Sequence, residues 1–242
     1  MRYATYREST SPARWLRRLF RLTLMTFIVY QIVTTIFVQS VVHKSIAMEP
    51  TLAIGERFLA FPLAYGPRLR LFGWVLPGFR QPGHGDLAIV RPGYVAEPGF
   101  AGRIADRLVR FFTLEHRRID DGAGWDSSLQ IKRVVGLPGD TIRIERFVAY
   151  VRPADRHEFL HEYELAARDY GLITEDRPGA WEPLDPFGEA FETVTLGDGE
   201  YFVLSDHRAS GMDSRHWGVV RRANLVSRIS LRFWPLRRFG RP

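Results

Sequence analysis

The chain is 242 residues long, 45% hydrophobic and 25% charged, a balance that excludes disorder and predicts one domain with a sizeable core plus an appendage. Its net charge of +7 comes largely from arginine and fits an anionic membrane face, the flank of a membrane anchor, or nucleic acid, so position along the chain decides. There is no cysteine, which excludes a disulfide framework, a thiolate metal site and a thiol nucleophile and leaves hydroxyl, amine, carboxylate or imidazole groups for any catalysis.

Residues 1–21 form a basic N-terminus in which Arg2, Arg7, Arg14, Arg17, Arg18 and Arg21 stand against a single acidic residue, Glu8. Residues 22–42 follow as an uncharged run close to the roughly 20 residues a helix needs to cross a bilayer, which predicts a transmembrane anchor. The arginine bias holds the N-terminus in the cytoplasm and delivers residues 43–242 to the far side. A cleaved signal peptide would carry an apolar stretch of only about 7–15 residues, shorter than this one. Gln31, Thr34 and Thr35 temper the run, as suits a single anchor with little to pack against. A domain outside the membrane does not meet nucleic acid, so the arginines between positions 221 and 241 point to anionic lipid instead.

Beyond the anchor the pattern changes to short β-rich runs at 58–61, 86–90, 130–135, 141–144, 147–151, 192–195, 201–204 and 231–233, punctuated by Gly and Pro clusters. The expected fold class is mainly β: one N-terminal transmembrane helix, then an antiparallel β domain with inserted helical and loop segments at 102–128 and 152–191. In the first insertion Ile104, Leu108, Val109, Phe111 and Phe112 share a helix with Arg103, Arg107 and Arg110, the composition of an interfacial helix and equally of one packed on a sheet. Trp74, Leu76 and Phe79, in a Gly/Pro-rich loop, form a second surface suited to bilayer contact.

The second insertion holds a literal H-E-x-x-H, His157-Glu158-Phe159-Leu160-His161, whose helical form puts two histidines one turn apart with a glutamate base. A zinc metalloprotease needs a third ligand. Glu175 and Glu182 are the downstream candidates, and neither lies in a second motif. The expected reading is a fortuitous amphipathic helix, with no metal and no cofactor.

Four further segments belong together. Directly after the anchor comes Ser45-Ile46-Ala47-Met48-Glu49-Pro50-Thr51-Leu52, followed by Gly55 and a strand; then Gly85-Asp86-Leu87-Ala88-Ile89-Val90; then Ile131-Lys132-Arg133-Val134-Val135-Gly136-Leu137-Pro138-Gly139-Asp140. The last runs from Gly199 through Ser205-Asp206-His207-Arg208 to Asp213-Ser214-Arg215-His216-Trp217-Gly218. In order, spacing and position behind an anchor, these boxes resemble those of type I signal peptidases, membrane serine endopeptidases that remove signal peptides from exported preproteins with a Ser/Lys pair. The resemblance implies a domain of the signal-peptidase type on the outer side of a bacterial cytoplasmic membrane, with signal peptides and the lipid bilayer as partners.

It also implies roles. Lys132 is the general base, a task for which its pKa, ordinarily near 10.4, must fall by burial. Ile131, Val134 and Val135 supply apolar neighbours in sequence. Ser45 and the backbone N–H at position 47 form the oxyanion hole. Arg133, Asp206, Arg208, Asp213 and Arg215 support the site as a charged network, while Met48, Pro50, Gln130 and Ile131 meet the substrate, which adds as an extended strand with small P1 and P3 side chains.

Two positions depart from the pattern. Ala47 occupies the nucleophile position, and a methyl group cannot attack a carbonyl; loss of the nucleophile of a serine protease costs on the order of 10⁶ in turnover. Gly211 stands where many members carry a serine that can hydrogen-bond the lysine. A substitution made to trap substrate and a paralogue that has lost its nucleophile, kept as a non-catalytic binder of signal peptides or of a partner, both fit Ala47.

Overall fold

The structure, a computed structural model, describes residues 12–69, 74–94, 100–113, 129–174 and 191–242. Helix α1, Pro12–Ile32, continues through one π-helical turn at Val33–Phe37 and then stops. The helix expected at 22–42 differs in its bounds: it begins among the arginines, and Gln39–Val42 is extended as strand β1. Backbone pairing explains the switch, because β1 lies antiparallel to Arg57–Phe61, strand β2, from Gln39 opposite Ala60 to Val42 opposite Arg57. The uncharged helical part, 22–37, is only about 24 Å long at 1.5 Å per residue, against a bilayer core of about 30 Å. Trp15, Leu16, Leu19 and Phe20 are exposed and extend the apolar surface towards the N-terminus, where arginine stems can snorkel. The stretch Ala13–Phe37 is long and apolar enough to span a membrane. Thr26 and Thr34 donate their hydroxyls to the carbonyls of Leu22 and Tyr30, each at 2.9 Å, which removes most of their polar cost there.

After β2 come the short helix α2, Pro62–Tyr65, and a two-stranded ribbon of Arg68–Leu69 (β3) and Trp74–Val75 (β4). Strand β5, Leu87–Val90, precedes helix α3, Phe100–Phe112, which covers the start of the insertion expected at 102–128. Strands β6, Gln130–Gly136, β7, Thr141–Glu145, and β8, Val148–Arg152, lead to β9, Leu160–His161, and the short helix α4, Glu162–Leu165. Beyond the undescribed 175–190 lie β10, Phe191–Thr195, β11, Glu200–Leu204, helix α5, Ser214–Trp217, β12, Val220–Arg221, and β13, Leu225–Trp234. Seven strands form one antiparallel sheet in the order β1-β2-β13-β5-β6-β11-β12, and four form a second in the order β10-β7-β8-β9. The mainly β, antiparallel expectation holds.

The central strands β5 and β6 are almost wholly buried; β5 is apolar throughout, whereas β6 buries Lys132 and Arg133 along with its apolar residues. Met48, Leu52, Phe58, Leu87, Ile89 and Ile131 pack as one core cluster, with Val134, Val203 and Tyr201 in a second. Val135, Ile142, Val151 and Phe202 join the two sheets in a third. Strand β13 begins earlier than the apolar run at 231–233 predicts. The strand carries two arginines, Arg228 and Arg232, and both are paired with acids of other segments: Arg228 Nε donates to Asp86 Oδ1 at 2.9 Å, and Arg232 lies 3.3 Å from Glu56.

The H-E-x-x-H segment is not a helix. His157 and Glu158 lie in an exposed bend, and His161 is in β9, opposite Tyr150. Helix α4 starts only at Glu162, so the two histidines are never one helical turn apart. Among the described residues no group of three histidine, aspartate or glutamate side chains could hold a metal ion; Glu175 and Glu182 lie outside them. Helix α3 forms as expected, and its Phe111 ring meets Phe27 and Tyr30 of α1 at centroid distances of 5.1 and 5.3 Å. Phe79 is exposed, while the Trp74 side chain lies outside the described residues.

Candidate active site

Strand β1 ends at Val42, and the chain turns through His43 into a single 3-10 turn, Ile46–Met48, that carries Ala47. Ser45 caps this turn: the Ala47 N–H donates to Ser45 Oγ at 3.1 Å, so the two expected oxyanion donors face each other. The turn is held from the other side by the closing box, since the His207 N–H donates to the Ala47 carbonyl at 3.0 Å. Ala47 is almost buried, its methyl facing Gly211.

Lys132 sits in β6 opposite Ala88 of β5 and is 2% exposed. Burial among β5, β6 and the closing box pushes its pKa down to about 8, a fall that Asp213 and Asp206 oppose and Arg215 assists. Its Nζ donates to Ser205 Oγ at 2.7 Å and lies 5.6 Å from the centroid of the Trp217 ring. The nearby imidazole of His43 is pushed down to about 4, first by burial and then by the charge of Lys132. A buried lysine whose hydrogen bond goes to a neutral hydroxyl is an amine able to accept a proton near neutral pH.

The supporting residues divide into two networks. In the first, Arg133 grips Asp206 with two bonds, Nε to Oδ1 at 2.7 Å and Nη2 to Oδ2 at 2.5 Å, and lies over the Tyr170 ring at 3.7 Å. The Thr51 hydroxyl donates to the same carboxylate at 2.5 Å, which fastens the end of the nucleophile-position turn to β6 and β11. In the second, Asp213 accepts from Arg215 Nε and Nη2, both at 2.9 Å, and from the Ser205 N–H at 3.0 Å. Burial alone would raise the Asp213 carboxyl, but the Arg215 guanidinium, with hydrogen bonds from His216 and Arg215, holds it well below the usual carboxylate range. Arg215 Nη2 also donates to the Arg208 carbonyl at 2.7 Å.

The Arg208 side chain points elsewhere. It donates to Glu162 Oε2 at 2.6 Å and to the Phe147 carbonyl at 3.0 Å, and so ties the closing box to the second sheet. Of the residues expected to meet substrate, Pro50 is exposed and Gln130 half-buried, whereas Met48 has no exposed surface and forms the underside of the site with Ile131. Sequence reasoning gave no role to Ser205, Thr51, Glu162 or Tyr170. For Ser205 the signal lies in the strand pairing and not in the sequence: β11 runs antiparallel to β6 with Val203 opposite Val134 and Leu204 opposite Arg133, so the next residue comes opposite Lys132.

A buried, down-shifted lysine beside the turn at 45–48, joined by a charged closing box, is an arrangement that can be compared as a whole. The family described as "Signal peptidase, peptidase S26" matches residues 16–234. The chain belongs to this signal peptidase family. A Synechocystis sp. protein described as a probable signal peptidase I-2 is 28% identical over 235 residues, 97% of this chain and 80% of its own length. Signal peptidase IB of Staphylococcus aureus strain N315 is 30% identical over 109 residues, and the match spans 45% of this chain and 55% of that protein. A crystal structure of a signal peptidase I from Enterococcus faecalis V583 covers 62% of this chain and 98% of its own, at 18% identity and a TM-score of 0.33. Membership brings serine endopeptidase chemistry on signal-peptide-bearing preproteins at the level of the family.

Proposed function

We propose that this chain is a membrane-tethered, signal peptidase I-type endopeptidase of the Ser/Lys kind that lacks only the nucleophilic oxygen. The observation that carries the reading is Lys132: buried, pushed down to about 8, and fixed beside the turn that presents Ala47. In this reading Lys132 is the base, and the Ser45 hydroxyl and the Ala47 N–H, which exchanges its bond to Ser45 Oγ for one to substrate, stabilise the oxyanion. Arg133, Asp206, Asp213 and Arg215 hold these elements in register, and Arg208 braces them from behind. Substrate enters as a strand along 43–45 and 130–132, past Pro50, Gln130 and Ile131. Helix α1 anchors the domain with its arginine end in the cytoplasm of a bacterial cell, and α3, resting on α1 through Phe111, lies in the outer leaflet.

Ala47 favours a second reading for the chain as written, capture of signal peptides or of a partner peptidase without turnover. The experiment that tests the first is preprotein cleavage in detergent by the full chain, by Ala47→Ser and by Ala47→Ser/Lys132→Ala. The serine variant is expected to exceed the parent by about 10³-fold or more, within the roughly 10⁶ that a missing nucleophile costs, and the double variant to lose that gain. A parent that cleaves as fast as the serine variant overturns the site; cleavage stopped by a chelator would point to a metal.

A further inference from the structure

We infer that Ser205 is the residue that positions Lys132, and that residues 205 and 211 are alternative sources of one hydroxyl. The inference rests on the reading of Lys132 as the base. Ser205 is fully buried, and its Oγ accepts from Lys132 Nζ at 2.7 Å. Its backbone cannot drift, because the Ser205 N–H is held by Asp213 Oδ2 at 3.0 Å and Asp213 is itself clamped by Arg215.

Gly211 makes room for this arrangement. A Cβ placed on Gly211 would lie 2.0 Å from Ser205 Oγ and 2.3 Å from Ser205 Cβ, and 3.3 Å from the Ala47 methyl. Any side chain at 211 and the side chain at 205 therefore compete for the same small volume beside position 47. This chain fills that volume from the end of β11, with the Ser205 side chain.

The chemistry suits a base. A neutral amine has two N–H groups and one lone pair. Giving one N–H to a fixed hydroxyl restricts where the lone pair can point, and the volume shared by Ser205, Gly211 and Ala47 directs it to position 47. A carboxylate at the same place would orient the amine as well, but its charge would favour the ammonium and take the base out of use. A hydroxyl orients without adding charge.

The test uses the full chain in detergent. In the Ala47→Ser background, Ser205→Ala is expected to lower kcat by about 10- to 100-fold with KM nearly unchanged. Its acidic limb should move to lower pH, since the ammonium loses an acceptor. Ser205→Gly/Gly211→Ser should restore kcat to within a few-fold, whereas Gly211→Ser with Ser205 retained should not. An independent readout needs no turnover: the chain has only two lysines, Lys132 and the exposed Lys44, so lysine labelled with ¹³C at Cε gives two titrating signals. In the Ala47 parent, Ser205→Ala should move the Lys132 signal's midpoint downward. Unchanged kcat and midpoint, an upward move from water entering the site, or failure of the exchanged pair to restore a folded variant each overturns the inference. Cleavage by the Ala47 parent that Ser205→Ala abolishes would make Ser205 the nucleophile and overturn it as well. If Ala47→Ser stays inactive while Ser205→Ala still shifts the Lys132 midpoint downward, the cleavage reading has failed and the positioning inference stands.

Discussion

Replacing Lys132 with methionine should stabilise the protein, and by an amount that depends on pH. Lys132 is moved from its ordinary 10.5 to about 8, chiefly by burial, and that displacement is worth roughly 3 kcal/mol between its two protonation states. Because the folded pKa is depressed for a cationic group, the sign is opposite to that of a lysine gaining a partner. Below pH 8 both folded and unfolded chains hold the proton, and the folded state bears the full cost of a buried ammonium. Between about 8 and 10.5 the unfolded chain keeps a proton the folded one has lost, so stability rises with pH; above 10.5 the cost is gone. Methionine, of similar reach, has no proton to lose. Relative to the parent, Lys132→Met should gain up to about 3 kcal/mol at pH 7, and the gain should fade across this window. A constant offset of about 1 kcal/mol comes from the lost bond to Ser205. Urea unfolding of the full chain in detergent micelles at several pH values from 7 to 10.5 measures the difference, in which the other titrating groups cancel. A parent-to-variant difference that stays flat across the window would mean that Lys132 keeps its ordinary pKa, and the argument for a ready base would fall with it.

Glu162→Gln leaves the fully buried Arg208 guanidinium without its countercharge, and the expected loss is about 3–5 kcal/mol by urea unfolding; a loss under 1 kcal/mol would show that the Arg208–Glu162 pair is not what joins the two sheets. The absence of cysteine permits a unique label at Phe112, which is exposed beside Phe111. Phe112→Cys carrying an environment-sensitive fluorophore should shift to the blue in anionic vesicles and be quenched by brominated lipid chains, and a label that stays in water refutes the placing of α3 in the leaflet.

The fold was legible wherever one principle governed a segment. Strands β5 and β11 are buried almost continuously, so their apolar runs announce them, and the Val134-Val135 end of β6 does the same. Legibility failed where long-range pairing overrode local composition. Residues 39–42 continue an apolar, uncharged run and look like helix, yet they lie extended because β2 offers an unpaired edge. Arg228 and Arg232 break the apolar pattern of β13, yet the strand continues through both because Asp86 and Glu56, far away in sequence, pair with them. His157 and His161 match a helical spacing, but β8 draws residue 161 into a sheet and removes the helix on which the spacing depended.

The site shows the same division at finer scale. Lys132, Ser45 and the closing-box acids are proposed from motifs, where each role demands one residue type at one place in the chain. The hydroxyl beside Lys132 is different, since what its role demands is an oxygen at a point in space, and two backbone positions reach that point. Reading along the chain, Gly211 looks like a loss, because a glycine offers no hydroxyl. In three dimensions it is the condition for Ser205: with a Cβ at 211 only 2.0 Å from Ser205 Oγ, a serine at both positions cannot be packed, and a glycine at both would leave the buried amine unpartnered. The pair Ser205 and Gly211 therefore has to be read together. By that reading the lysine half of the machinery is intact in this chain, and position 47 is the one place where its chemistry is interrupted.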